Sequence, residues 1–225
     1  MVFSPAYPGS AKQKSDVVPL LLASKGPLFI GGVPGSGIPL GVGYNFYQDP
    51  QLRVGVAVGG GIAKVRTAAD HAQLSGLGDV NNTLRGSVFA SYSAGAFGLR
   101  GNVVTDLGGN RQGTLVSLDA EARGKLTEQL GVSFGPGLTW ADGKYAQTVF
   151  GINAVQSAAS KRPVYTAKSG INSVRLTLGA DYRIDTHWGV RAFATSARLQ
   201  GDAANSPITE KLTQNSAGVF VSYRF

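Results

Sequence analysis

Apolar and polar side chains alternate with a period of two, short turns alternate with longer connections, and aromatics gather near one end of the alternating runs. Together these predict an all-β fold: a transmembrane antiparallel up-and-down β-barrel of about twelve strands, with short periplasmic turns and longer extracellular loops. The 225 residues are expected to form a single domain, 1–225. With 43% hydrophobic and 15% charged residues the chain is too apolar for a disordered tail, and zero cysteines leave no material for disulfides or thiolate metal sites. No run approaches the ~18 to 20 apolar residues of a membrane helix; the best, Val17 to Ala23, is short and contains Pro19.

Three short pieces open the chain, near Met1 to Tyr7, Val17 to Ser24 and Leu28 to Val33. Alternation then places Ile38, Leu40, Val42, Tyr44 and Phe46 on one face, followed by Leu52, Val54, Val56 and Val58. Leu84, Val88, Ala90 and Tyr92 continue it, then Phe97, Leu99, Gly101 and Val103. A purer run sets Val116, Leu118, Ala120, Ala122 and Leu126 against Ser117, Asp119, Glu121, Arg123 and Lys125. Leu130, Val132, Phe134 and Leu138 come next, with Pro136 inside the run, where it removes a ladder donor and predicts a bulge or break. Val174, Leu176, Leu178, Ala180, Tyr182 and Ile184 oppose Ser173, Arg175, Thr177, Asp181 and Arg183. Trp188, Val190, Ala192 and Ala194, then Ala217, Val219, Val221, Tyr223 and Phe225, close the series. Phe193 and Phe220 fall on the inward side, which predicts either packing against a lid or a register slip; Gly59-Gly60-Gly61 makes a slip plausible in its own strand.

The connections separate a membrane barrel from a soluble sandwich. Inner turns fall at Ser24-Lys25-Gly26, Gln48-Asp49-Pro50, Ala94-Gly95, Thr127-Glu128 and Asp185-Thr186. Outer connections run Pro8 to Asp16, Thr67 to Asn82, Gly108 to Arg111, Asp142 to Ile171 and Gly201 to Leu212, an asymmetry that a sandwich has no reason to respect. Tyr44, Phe46, Tyr92, Tyr182, Trp188, Tyr223 and Phe225 lie near inner strand ends, as an aromatic girdle requires, while Phe97 and Trp140 fit less clearly. The expected location is the outer membrane of a Gram-negative bacterium, in contact with lipid and lipopolysaccharide. Met1 to Pro5 has neither a charged nor an apolar signal region, so a signal peptide is expected to be absent from this chain. Val221, Tyr223 and the terminal Phe225 look like the signal that barrel-assembly machinery reads during insertion.

Further residues carry a family resemblance. Tyr7-Pro8-Gly9-Ser10, Pro19-Leu20, Tyr145, Phe150-Gly151-Ile152, Gln156-Ser157-Ala158-Ala159-Ser160, Pro163-Val164-Tyr165, Gly201-Asp202-Ala203-Ala204, Ser206-Pro207-Ile208 and Tyr223-Arg224-Phe225 resemble the MipA/OmpV family of outer-membrane proteins. Members usually carry a signal peptide and a fuller first strand, which implies that Met1 replaces or trims a longer start. The resemblance implies a scaffold that brings a murein-cleaving transglycosylase together with a murein synthase; other members are discussed as adhesins or porin-like proteins.

Inward positions include Arg53, Arg85, Arg100, Asp119, Glu121, Arg123, Lys125, Arg175, Asp181, Arg183, Arg191 and Arg224, with cations in excess. The net charge of +8 does not point to nucleic acid, because these charges alternate with lipid-facing residues and form no exposed basic run. Buried charges persist when paired, so the preferred reading pairs the cations with Asp119, Glu121 and Asp181 and fills the lumen. The competing reading is a narrow, weakly anion-preferring channel. The long segment 142–171 should carry structure of its own, with a helical turn over Ala154 to Ser160 and with Tyr145, Phe150 and Tyr165 anchoring it as a packed lid.

No catalytic residue, metal site or cofactor is expected. Gly131-Val132-Ser133-Phe134-Gly135 has nucleophile-elbow spacing but lies within an alternating strand. His71 with Asp70 and Asp79 resembles a protease site without a second carboxylate pair, and His187 beside Asp185 sits at an inner turn. Gly31 to Gly37 lacks the lysine and helix of a phosphate loop, and two histidines make a transition-metal site improbable.

Overall fold

In the computed structural model, residues 1–17, 22–33, 36, 38–61 and 64–223 are described; Pro19, Leu20, Arg224 and Phe225 lie outside them. The strands are β1 (Val2–Pro5), β2 (Gln13–Asp16), β3 (Ala23–Lys25), β4 (Leu28–Val33), β5 (Ile38–Gln48), β6 (Leu52–Gly60) and β7 (Leu84–Ala94). They continue as β8 (Phe97–Asp106), β9 (Thr114–Lys125), β10 (Leu130–Ala141), β11 (Gly170–Arg183), β12 (Trp188–Leu199) and β13 (Thr213–Tyr223). Three short helices, α1 (Gly143–Phe150), α2 (Ala154–Ser160) and α3 (Gly201–Asn205), lie in the connections.

All thirteen strands form one antiparallel sheet in which neighbours in sequence pair, except that β13 pairs β1 and the two edges are β2 and β3. These edges are consecutive in the chain and run in the same direction. A flat sheet of this size would hold its edges about 58 Å apart. The seven residue steps from Asp16 to Ala23 span at most about 24 Å, so covalent connectivity curls the sheet towards a ring. Counted as two pieces of one crossing, β2 and β3 bring the number of crossings to the twelve expected. Among the described residues the ladder stops at these edges, so it is not hydrogen-bonded into a closed barrel.

Burial is inverted relative to a soluble protein. Val42, Leu99, Leu118, Phe134, Leu176, Leu178 and Val221 are exposed, while Ser87, Asn102 and Ser117 are buried on the other face. Apolar side chains facing outward over most of the sheet require an apolar solvent, which is the lipid reading of the alternation. Tyr44, Phe46, Tyr92, Tyr182, Trp188 and Tyr223 are exposed at inner strand ends, and Phe97, 69% exposed at the inner start of β8, joins them. Trp140 belongs to the outer end of β10.

Three of the five short turns share one device. Asp49 accepts from Gln51 and Leu52, Thr127 from Gln129 and Leu130, and Asp185 from His187 and Trp188, each through backbone amides. A side-chain oxygen at the turn's start thereby occupies donors that the ladder leaves free.

Several expectations are corrected. The first outer loop is shorter than Pro8 to Asp16 because Gln13–Asp16 pairs with Val2–Pro5 as β2. Ile38 is buried, unlike Leu40 and Val42, and packs over the spaces left by Gly41 and Gly59. Pairing through Gly59 and Gly60 is continuous; the slip occurs instead at Asn45/Tyr47. At Pro136, of the bulge or break expected, the break is found: the β9 ladder skips two pairs and resumes in the same register. Phe193 and Phe220 do point inward, with no register shift in the β12–β13 pairing, and stack on each other at 6.0 Å.

Leu178→Arg, at an outward position midway along β11, is expected to destabilise the folded protein in lipid vesicles by about 2–4 kcal/mol. Thr195→Arg, on the inward face of β12, should cost clearly less. Denaturant titration of both variants checks the assignment, and equal losses would contradict it.

Candidate functional site

The outer connections fold into a lid. Asp142 caps α1 by accepting from the Tyr145 amide, and Asn153 and Gln156 cap α2 reciprocally. The Ala154 to Ser160 helix is the one the sequence predicts; α1 is an addition. Phe150 is 0% exposed and packs with Ala146, Val149, Ala167, Leu199 and Ala203, against which Tyr145 and Tyr165 are partly buried. A second cluster joins Tyr7, Leu74, Leu77, Ile152 and Ile208. These residues come from the β1–β2, β6–β7, β10–β11 and β12–β13 connections, so the lid ties together loops from both halves of the ring.

Polar contacts hold the same loops. The buried Tyr7 hydroxyl donates to Glu210 at 3.0 Å, and burial, reinforced by that bond, pushes its phenol well above the ordinary range. Gly9 has φ +95° and lies so close to Thr209 that a Cβ would meet Oγ1 at 2.9 Å, so glycine is required there. Ser206 donates to the Phe150 carbonyl at 2.6 Å, Tyr165 to the Asp202 carbonyl at 2.9 Å, and the Gln156 side chain to the Leu77 carbonyl at 2.7 Å. Arg162 reaches Gln73 at 2.9 Å. Arg66, 3% exposed, donates to the Val149 carbonyl at 2.8 Å while its Nε has no partner.

Of the residues expected as lid anchors, Phe150 lies inside the first cluster and Tyr145 and Tyr165 pack against it. Sequence reasoning missed Tyr7, Leu74, Leu77, Ile152, Ile208 and Arg66 as parts of the lid. The available signal was apolar residues, such as Leu74 and Leu77, inside the outer connection Thr67 to Asn82.

Below the lid lies a cavity of about 850 Å³ lined by Arg100, Asp119, Glu121, Arg123, Lys125, Arg175, Asp181 and Arg191, together with Phe193. The expected pairing is present: Arg175 meets Asp119 at 2.5 Å, Arg191 meets Asp181 at 2.5 Å, and Glu121 sits between Arg123 at 3.0 Å and Arg100 at 3.7 Å. The expected filling is not, because the cavity remains. Arg53 lies over the rings of Phe29 and Phe89, at 4.8 and 5.4 Å, in a smaller pocket beside it. Arg85 sits higher and donates to Gln112 at 2.9 Å, whereas Arg183 reaches the Glu128 carbonyl at the inner turn. Lys125 makes no ion pair among the described residues. Arg224 and Phe225, assigned to the lumen and to the assembly signal, lie outside those residues; Val221 and Tyr223 are exposed at the inner end of β13.

The weighed catalytic motifs have other partners. Gly131 to Gly135 lies inside β10. His71 packs edge-on against Tyr7 at 5.2 Å, and the Asp70 side chain lies outside what is described. Lys64 donates to Asp79 at 2.6 Å, and that bond, with one from the Ala68 amide, holds the Asp79 carboxyl below the ordinary carboxylate range. The His187 ring stacks on Tyr223 at 5.8 Å.

The family described as MltA-interacting protein MipA matches residues 1–225. No curated protein matches the chain. Among solved structures it is similar to OmpT, an outer membrane protein of Vibrio cholerae, at 9% identity and a TM-score of 0.42, over 90% of this chain and 62% of that one. It is also similar to Salmonella typhi OmpF in complex with daunomycin, at 14% identity and a TM-score of 0.40, over 88% and 57%. The NanC porin is similar at 10% identity and a TM-score of 0.41, over 90% and 96%. The chain therefore spans less than two thirds of the length of OmpT and of OmpF.

The lid should resist external protease on intact cells. Phe150→Ala removes about 3–5 kcal/mol of packing and is expected to make the 142–169 segment cleavable while the barrel stays folded. A lid cut equally fast in both proteins would show that it is not packed.

Acidification gives a second test. Because the folded Asp79 pKa is depressed, its contribution is present above the ordinary value of about 3.9 and is lost as pH falls through the lowered value. Amide exchange in 64–80 should accelerate in that window, with β10 and β11 unchanged.

Proposed function

The chain belongs to the MltA-interacting protein MipA family, and from that premise we propose that it is a non-catalytic outer-membrane scaffold for a murein-cleaving transglycosylase and a murein synthase. The observation that supports this reading best is the lid. Where a channel needs a wet path, the outer mouth holds a core of fully buried side chains, Phe150, Ile152 and Ile208 among them. The opposite end offers the charged cavity among short turns, with Lys125, Arg183 and Arg191 exposed near its rim. Such a rim suits electrostatic steering of an acidic partner surface from the periplasmic side. In the same reading Val221, Tyr223 and Phe225 serve the barrel-assembly machinery during insertion, and lipid and lipopolysaccharide surround the wall.

A second reading, the narrow anion-preferring channel, is favoured by the cation excess of the cavity lining. Two measurements separate them. Affinity capture from solubilised envelopes should enrich a murein transglycosylase and a murein synthase, and the double variant Lys125→Glu, Arg191→Glu should weaken that enrichment at unchanged expression. Planar-bilayer recordings of the purified protein should be silent. Absence of murein enzymes from the capture, together with steady anion-selective conductance, would reverse the ranking.

A further inference from the structure

The lipid-facing wall is not uniform around the ring. From β4 to β11 its paired outward positions hold apolar or aromatic side chains, alanine, glycine and Pro136, apart from the Thr105–Thr114 pair at the outer end of β8 and β9. On β12, β13, β1 and β2 the outward set changes. Arg198 pairs across with Thr213, Ser196 with Asn215, and Pro5, which follows Asn215 in the same register, with Gln13. The next row inward is Ala194, Ala217, Phe3 and Ser15.

Two independent features coincide in this sector. Arg198 is exposed at the outer end of β12 and has no carboxylate partner among the described residues; of the strand cations described, only it and Lys25 take outward positions, and Lys25 lies at the inner rim. Immediately inward of it is a groove of about 590 Å³, with a floor of Ala194, Ser196 and Ala217 and walls of Leu176, Leu178 and Phe3. Small residues between large ones leave a mostly apolar groove, and Arg198 stands one row beyond Ser196 and Asn215 towards the outer rim.

We propose that this sector binds one lipid of the outer leaflet carrying a phosphorylated headgroup, with the phosphate on Arg198 and an acyl chain in the groove. The fork of an arginine matches phosphate oxygens bidentately, and Asn215, Ser196 and Gln13 add uncharged hydrogen-bonding groups that an all-apolar wall lacks. Among the described residues no carboxylate pairs with Arg198, which favours an anionic headgroup over a zwitterionic one. Position selects the leaflet, because Arg198 belongs to the end that carries the long loops. This binding is independent of the scaffold and channel readings and needs only the membrane orientation.

Native mass spectrometry of detergent-purified protein titrated with bis-phosphorylated lipid A tests it, with dephosphorylated lipid A and phosphatidylglycerol as comparisons. The wild type should retain the phosphorylated lipid in preference to both, Arg198→Gln should lower retention by about tenfold or more, and Arg198→Lys should recover part of it. Asn215→Leu, which keeps the charge, should reduce retention less. Equal retention by wild type and Arg198→Gln would overturn the proposal, as would equal retention of phosphorylated and dephosphorylated lipid. A sector occupied instead by a second copy, seen as a dimer that excludes lipid, would also overturn it. Heat-modifiable mobility checks that each variant is folded.

Discussion

Backbone amides within hydrocarbon have no water to bond, so every strand of this wall needs a neighbour on both sides. Among the described residues the sheet meets that demand at every strand but the edge strands β2 and β3, which the chain itself links. β13 returns to β1, and the link from β2 to β3 brings the two ends of the ladder within reach of each other. Curling in turn separates two faces. One meets lipid and carries Leu99, Leu118 and Leu178; the other turns inward and gathers Asp119, Glu121, Arg123 and Arg175.

The inward charges show the cost side of the same geometry. Guanidinium groups on neighbouring strands would repel one another in the lumen, and the three carboxylates are placed to interrupt them. Glu121 bridges two arginines and Asp119 is shared by two nitrogens of Arg175, which also donates to Thr139 at 2.6 Å. These pairs hold extended side chains against the wall, and this is why the cavity persists although each carboxylate has a partner. Pairing and filling, treated as one expectation, are separate outcomes.

The lid is built on a different principle. Its loops are too long to remain structureless, and each alone exposes a few apolar residues; together they make a core in which Tyr7, Leu74, Ile152 and Ile208 converge. Here local signals were partly legible. Asp142 followed by Ala146, Val149 and Phe150 carries a cap and a helical apolar spacing for α1, and Asn153 with Gln156 spells the capping box of α2. The contact between Tyr7 and Ile208 had no such signal, because it joins residues 201 positions apart.

The sequence by itself determined the strand class, the alternation of inward and outward faces and the two kinds of connection. All of these follow from a period of two and from turn chemistry, which act over a few residues. Only the tertiary structure decided that β2 begins at Gln13, that Ile38 turns inward over Gly41 and Gly59, and that the break at Pro136 keeps its register. It alone decided that the outer loops form one packed core above an unfilled cavity. Those outcomes depend on which distant segments meet and on the volumes left between them, and an alternation pattern carries neither.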